Sequence, residues 1–385
     1  MGTSKVNDKF LSVRSSPHHL QRDGSINLRR KSLTRIEHFN TVVEQQKPGV
    51  TFREQAAWWL NQMRNRKRSP VAPSTIEWWE SCLDNWLNPN IGDVPLAAVN
   101  NTCLKGLVEE MVARGLSPKT VKSYAQVVKQ VIASAVTEHG GEVRELYPRK
   151  WDHDFIDMPV VKRKQQNTPS FTREIVTGLA RWPKARERML FIFCAATGLR
   201  IGEALGIEVK HISPDFLTIS IVQKIRSGRV EQRLKSEDSF REVDLHPSVA
   251  ALLREFVGDR KSGFLFCTRN GKPLWPTNII RRHLHQALKE LGYVNPITGN
   301  HKAGNHAFRR FRLTYLRNYT NCPQGLIDFW LGHAADDMSD LYDKIKDDLG
   351  FRRGKAEEVG IGFEIGPIVP NVPKSASKEA ERIAA

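Results

Sequence analysis

Cysteine is scarce and scattered. The five in 385 residues, Cys82, Cys103, Cys194, Cys267 and Cys322, form no Cys-x-x-Cys pair and show no Cys/His spacing that would seat a metal. An odd, dispersed set speaks against a disulfide framework and fits reduced thiols in a cytoplasmic protein. There is no phosphate-binding Gly-x-x-x-x-Gly-Lys-Ser/Thr run, because Gly271-Lys272 is followed by Pro273, so ATP is not visibly the driver. Long apolar runs are missing too. The longest, Met189–Ala196, is far too short to cross a bilayer. The opening MGTSKVNDKF lacks the apolar core of a signal peptide, and Val6 spoils a myristoylation pattern. Acidic residues are in deficit, 42 against 59 lysines and arginines, for a formal charge of +17 and a pI near 9.8. With no amphipathic basic anchor in view, that balance favours a polyanionic partner over a membrane surface.

Residues 1–46 are polar and basic (Arg14, Arg22, Arg29, Arg30, Lys31, Arg35) and read either as a flexible arm or as a small DNA-binding module. From Thr51 the pattern turns helical. Thr51/Glu54 and Ser74/Glu77 each carry the spacing of a capping box. Further helices are expected over Asn101–Ala113 and from Ser117 through Glu138, stopped by Gly140-Gly141. Together they make a helical domain over 47–160. Lys119, Lys122 and Lys129 lie along the polar side of its last helix, as solvated charges or as followers of a phosphate backbone.

A proline-broken basic stretch then leads into a second domain, 161–350, with helices over Thr172–Trp182 and Ala185–Thr197. The turn TGLRIGEALGI (197–207) enters another helix that carries Arg200 and Glu203. Phe216–Leu245 alternates like a three-stranded antiparallel meander, turning at Ser227-Gly228 and around Glu237-Asp238, with Lys235 at the second turn. Helices follow over Pro247–Val257 and Thr277–Leu291. Asn305 then precedes HAFRRFRLTYLRNY as an expected cap, with His306 and Arg309 one helical turn apart. A last pair of helices flanks His333 and Tyr342, which stand nine residues apart. Met338, Leu341, Tyr342 and Ile345 fall on one helical stripe, so Tyr342 alone reads as a core aromatic. Asp336, Asp337, Asp340 and Asp343 fit a helix start and a solvated face better than a metal site. The tail, 351–385, carries one apolar patch over Gly360–Val369.

Singly these residues mean little. In order they are Arg-x-x-Glu after a TGL turn, Lys-Ser at a strand end, His-x-x-Arg on a helix, Leu-Gly-His, and Tyr nine residues on. That ordered set resembles the tyrosine recombinase (phage integrase) family over roughly Thr51–Asp347. The likeness is most specific in TGLRIGEAL, HAFR and LGHAADDMSDLY, with KSEDSFREVDL matching the family's hairpin pattern. It implies a multidomain, mainly α protein: an all-α SAM-like core-binding domain plus an α+β catalytic domain with a small antiparallel β-meander.

It also implies DNA cleavage and rejoining through a 3′-phosphotyrosyl link, with Tyr342 as nucleophile. Arg200, Lys235, His306, Arg309 and His333 would be its catalytic partners and Glu203 an accessory that orients the cations. Chemistry supports the grouping. A tyrosine hydroxyl titrates near ~10 and attack on phosphate gathers negative charge, so fixed cations are needed. No cofactor or metal is expected, since one phosphodiester is exchanged for another.

Expected partners are double-stranded attachment sites lying between the two domains, a homotetramer on two duplexes, and accessory DNA-bending proteins. The expected place is the bacterial cytoplasm, at the nucleoid, with no membrane. The basic segment before Thr51 favours the integrase of a phage or other mobile element over a chromosome-dimer-resolving recombinase. A type IB topoisomerase and a catalytically inactive accessory or repressor protein are the other readings. The tail patch either folds back on its own domain or docks on a neighbouring protomer.

Overall fold

A computed structural model describes residues 49–139, 141–162, 166–232, 240–333 and 347–366. Outside them lie Lys235, Tyr342, the Met338–Ile345 stripe, the aspartates at 336, 337, 340 and 343, the turn at Glu237-Asp238, the 1–46 segment and the tail past Gly366. The chain divides into two compact units between residues 163 and 164.

The first unit is a helical cluster with one hairpin. Helix α1 (Phe52–Arg64) starts at the expected box: the Thr51 hydroxyl accepts from the Glu54 amide, and the Glu54 carboxylate accepts from the Thr51 amide at 2.8 Å. Its buried face is Phe52, Ala56, Trp59 and Leu60, a helical repeat. Helix α2 (Pro73–Cys82) departs from expectation. Ala72 is its N-cap and no side chain caps it, because Pro73 takes the first helical position and leaves Ser74 and Glu77 inside the helix. It runs on through a π-helical turn, Leu83–Leu87, into Asn88–Ile91. In α3 (Asn101–Ala113) the Asn100 side chain caps two amides, and in α4 (Pro118–Ala133) Ser117 caps one.

Helix α4 stops five residues short of the expected Glu138. Ser134, its C-cap, gives its hydroxyl to the Val131 carbonyl and accepts from Gln55 on α1. Beyond it, β1 (Val136–His139) pairs antiparallel with β2 (Glu142–Glu145), and Gly141 at φ 83° serves the turn. Gly141 thus serves a hairpin turn rather than a helix stop, and β-branched Val136 and Thr137 suit a strand.

The second unit is built around α6 (Ala185–Thr197). Its run from Met189 through Thr197 is buried on every side, as an all-round apolar helix must be. Packed about it are α5 (Arg173–Ala180), α7 (Ile201–Gly206) and α8 (Pro247–Val257). A helix α9 runs from Pro276 to Glu290 with a π-helical turn at Ile280–Leu284. Helices α10 (His306–Tyr319), α11 (Gln324–Leu331) and α12 (Leu349–Val359) follow among the described residues.

Among the described residues the expected meander is two separate ladders. Strand β3 (Thr218–Ile221) pairs with β6 (Arg241–Asp244), while β4 (Lys224–Arg226) and β5 (Arg229–Glu231) pair across Ser227-Gly228, both at positive φ. The break between β3 and β4 has a cause. Gln223 is buried and donates to the Gly206 carbonyl at 2.7 Å and to Glu208 at 2.8 Å, tying the chain to the end of α7.

Helix α12 is held by charge. Arg352, 3% exposed, reaches Asp244 at 3.0 Å and also Glu242, and Asp244 accepts from Trp330 Nε1 and Thr218 as well. Past it the chain lies on the far end of α10. Tyr315 donates to the Val359 carbonyl, Arg312 donates to the Gly360 carbonyl, and Phe363 packs edge-on to Phe311.

Candidate active site

Two helices of the second unit end in left-handed glycines, and the site grows from those turns. Gly198 closes α6 at φ 68° and Gly332 closes α11 at φ 61°, conformations that cost a side-chain residue about 1 kcal/mol or more. Space is tight as well. A Cβ on Gly198 would stand 2.7 Å from Leu331, and one on Gly332 would stand 2.7 Å from Arg241 Nη1.

The turn carbonyls hold the arginines. Arg309, on the first turn of α10 and 6% exposed, donates to the Gly198 carbonyl at 3.2 Å and to the Leu331 carbonyl at 2.6 Å. Arg200 is the N-cap of α7 and reaches the Gly332 carbonyl at 3.4 Å. Each guanidinium has five N–H donors, so donors remain for a further oxygen.

Glu203 explains the Arg-x-x-Glu spacing. At the third position of α7 its carboxylate accepts the Arg200 amide at 3.1 Å, the helix-entry half of a capping box, and the Arg200 guanidinium at 2.7 Å. It also accepts from Arg241 at 3.1 Å. Burial pushes this carboxyl up, but the Arg241 and Arg200 guanidiniums outweigh it and hold it below the usual carboxylate range. Burial, with Arg200 close by and Glu203 opposing, brings Arg309 down to about 10, still protonated at neutral pH.

His306 opens α10 on its solvent-facing side, yet its ring is partly desolvated. That desolvation, then the charges of Arg309, Arg310 and Arg200, lowers its pKa, so it is mainly the neutral base at pH 7. The Asn305 side chain does not cap α10 as expected: its backbone is already helical at φ -57°, ψ -25°, where a capping residue is extended, and its side-chain NH2 donates to the Leu199 carbonyl at 3.3 Å. His333 follows Gly332, with Nδ1 2.9 Å from Asp328 Oδ1.

The structure therefore gathers Arg200, Glu203, Arg309 and His333 through one set of turn contacts, with His306 beside them. Sequence reasoning assigned no role to Arg241 or Asp328. Arg241 stood inside the SFREVDL match and is buried under the site, where its Nε donates to the Trp330 carbonyl at 2.8 Å. In the first unit Lys119 and Lys122 are exposed on α4, whereas Lys129 lies against His153 at 2.8 Å and over the Trp151 ring. Among the described residues no group of three or more His, Cys, Asp or Glu could hold a metal ion, and no helix is long and apolar enough to cross a membrane.

Such a cluster is suited to a phosphate: planar cations with spare donors, a neutral imidazole, and a second imidazole whose orientation is fixed. Residues 171–348 match the model of the Phage integrase family. The fold is similar to that of the Tn1549 transposon integrase solved with a circular intermediate DNA, at 16% identity, TM-score 0.59, covering 87% of this chain and 100% of that one. It is also similar to a lambda integrase tetramer bound to a Holliday junction, at 14% identity, TM-score 0.51, covering 80% of this chain and 83% of that one. At these identities the likeness is one of fold. No curated protein sequence matches.

Proposed function

Because the chain carries a phage integrase family domain over residues 171–348, we propose that it is a site-specific DNA recombinase of a phage or other mobile element, cutting and rejoining DNA through a 3′-phosphotyrosyl intermediate. The observation that carries this reading is the pair Arg200 and Arg309, locked to turn carbonyls and Glu203 beside His306 and His333. Tyr342 attacks the scissile phosphorus and its proton passes to neutral His306. The P–O5′ bond breaks, and Lys235 gives the leaving 5′ oxygen a proton. Arg200, Arg309 and His333 take the charge that builds on the non-bridging oxygens, each such donor being worth on the order of 3–4 kcal/mol by analogy with oxyanion sites. A 5′ hydroxyl from a second duplex reverses the chemistry. One phosphodiester replaces another, and no energy source enters the balance.

Lys119 and Lys122 of the helical unit contact the DNA backbone in this reading. Four copies assemble on two duplexes in the bacterial cytoplasm. Nicked duplexes tiled across the DNA that flanks the coding sequence test the proposal. One of them should trap a protein–DNA adduct resistant to SDS, and Tyr342→Phe should abolish it. An adduct at normal yield in Tyr342→Phe would sink the assignment.

A further inference from the structure

The side chain that decides how His333 faces a phosphate is Asp328. A carboxylate can only accept, so the 2.9 Å contact between Asp328 Oδ1 and His333 Nδ1 places the proton on Nδ1. The contact is reinforced twice. The His333 amide donates to the Asp328 carbonyl at 3.0 Å across the Gly332 turn. The second carboxylate oxygen accepts from Gln324 one helical turn back, at 2.5 Å. Gln324, Asp328 and His333 thus form a chain along α11, in which the carboxylate has a fixed position and the ring a fixed tilt.

Only one ring nitrogen remains for another partner. Nε2 is the one left to face a bound group, beside the turn whose carbonyls hold Arg200, Arg309 and Arg241. Free imidazole favours the opposite tautomer, with the proton on Nε2 and Nδ1 open. Without an acceptor at position 328 the ring can also turn, and the catalytic set loses a defined member.

We propose that Asp328 is a positioning residue for His333: it holds the Nδ1–H and so presents Nε2 to the non-bridging oxygen of the scissile phosphate. As the imidazolium, His333 donates Nε2–H to that oxygen and keeps its proton on both sides of the exchange. The oxygen it meets rests on the recombinase reading above. The Asp328–His333 pairing does not.

The test has two arms. In the first, the full chain is labelled with 15N-histidine, and His333 is identified among the twelve histidines by the signal missing in His333→Gln. At alkaline pH, where imidazoles are neutral, wild-type His333 should show the Nδ1–H form and Asp328→Leu the Nε2–H form. The same form in both proteins overturns the proposal.

In the second arm, the tiled nicked duplexes report adduct formation. Asp328→Leu should slow it about 10-fold or more with duplex binding held within about 2-fold, the scale on which orienting partners act. Asp328→Asn, which keeps an acceptor, should recover most of the rate. In a His333→Gln background the Asp328→Leu penalty should vanish, because nothing is left to orient. A penalty undiminished in that background would assign Asp328 to the fold and overturn the proposal. If the wild type forms no adduct on any duplex, the recombinase reading fails, and the imidazole spectra still decide the pairing.

Discussion

Replacing Arg241 by leucine should cost more than an ordinary core substitution. Its side chain is 1% exposed and that of its partner Glu203 is 4% exposed. Removing one member of a buried pair costs about 3–5 kcal/mol, because the other charge stays behind. Glu203 would keep Arg200, whose side chain is a quarter exposed, which points to the low end of that range. The Trp330 carbonyl would lose its Arg241 donor, adding about 1–3 kcal/mol. A loss of about 4 kcal/mol follows, or roughly 8–16 °C in the melting of a unit this size.

The pH dependence identifies the cause. Glu203 titrates below its unfolded value, so its contribution is present above that value and is lost as pH falls through the folded one. Without Arg241 the upward push of burial loses its chief opponent, and the carboxyl takes up a proton at higher pH. The penalty should therefore be largest at pH 7 and shrink towards pH 5. Hydrogen exchange of β6 and α11 amides in urea reads this unit separately from the helical one. A loss under about 1 kcal/mol at pH 7, or one equal at both pH values, would refute the reasoning.

Gly332→Ala should destabilise the unit by about 1–2 kcal/mol, from the left-handed turn and the contact with Arg241, and should cut adduct formation while duplex binding persists. The His306 ring is depressed below its unfolded value. The fold therefore loses stability as pH drops below 6.5, and His306→Gln should flatten that acid limb in urea melts between pH 7 and 5. Lys235→Ala should cleave ordinary DNA very slowly yet regain most of its rate on a 5′-bridging phosphorothiolate, whose leaving group needs no proton. Equal defects on both substrates would place Lys235 elsewhere in the mechanism.

The elements easiest to read from the sequence were those with local punctuation. Helices α3, α6 and α8 run Asn101–Ala113, Ala185–Thr197 and Pro247–Val257 as the pattern indicates, the last two closed by Gly198 and Gly258. The failures share a cause. Ser74 and Asn305 have capping chemistry, but Pro73 moves one helix entry and Asn305 already has a helical backbone. The β1–β2 hairpin was hidden because Val136 keeps the helical spacing of Val128 and Ile132, although the helix ends at its Ser134 cap.

At the site, Arg200 and Glu203 were legible because their bond is local, three residues apart. Arg241 meets Glu203 across 38 residues, a distance that no spacing rule spans. The Asp328–His333 contact spans only five, but it depends on the left-handed turn at Gly332, which reverses the chain between them.

The stretch from Arg352 to Phe363 changes where the second unit physically stops. Homology ends at residue 348, and an expression fragment cut there would seem complete. It would leave Asp244 buried without the Arg352 guanidinium and uncover the Phe311 and Tyr315 rings on the helix that carries His306 and Arg309. The shortest fragment that retains these contacts runs to Phe363. A weak signal from a shorter piece would report a damaged fold, and would say nothing about catalysis.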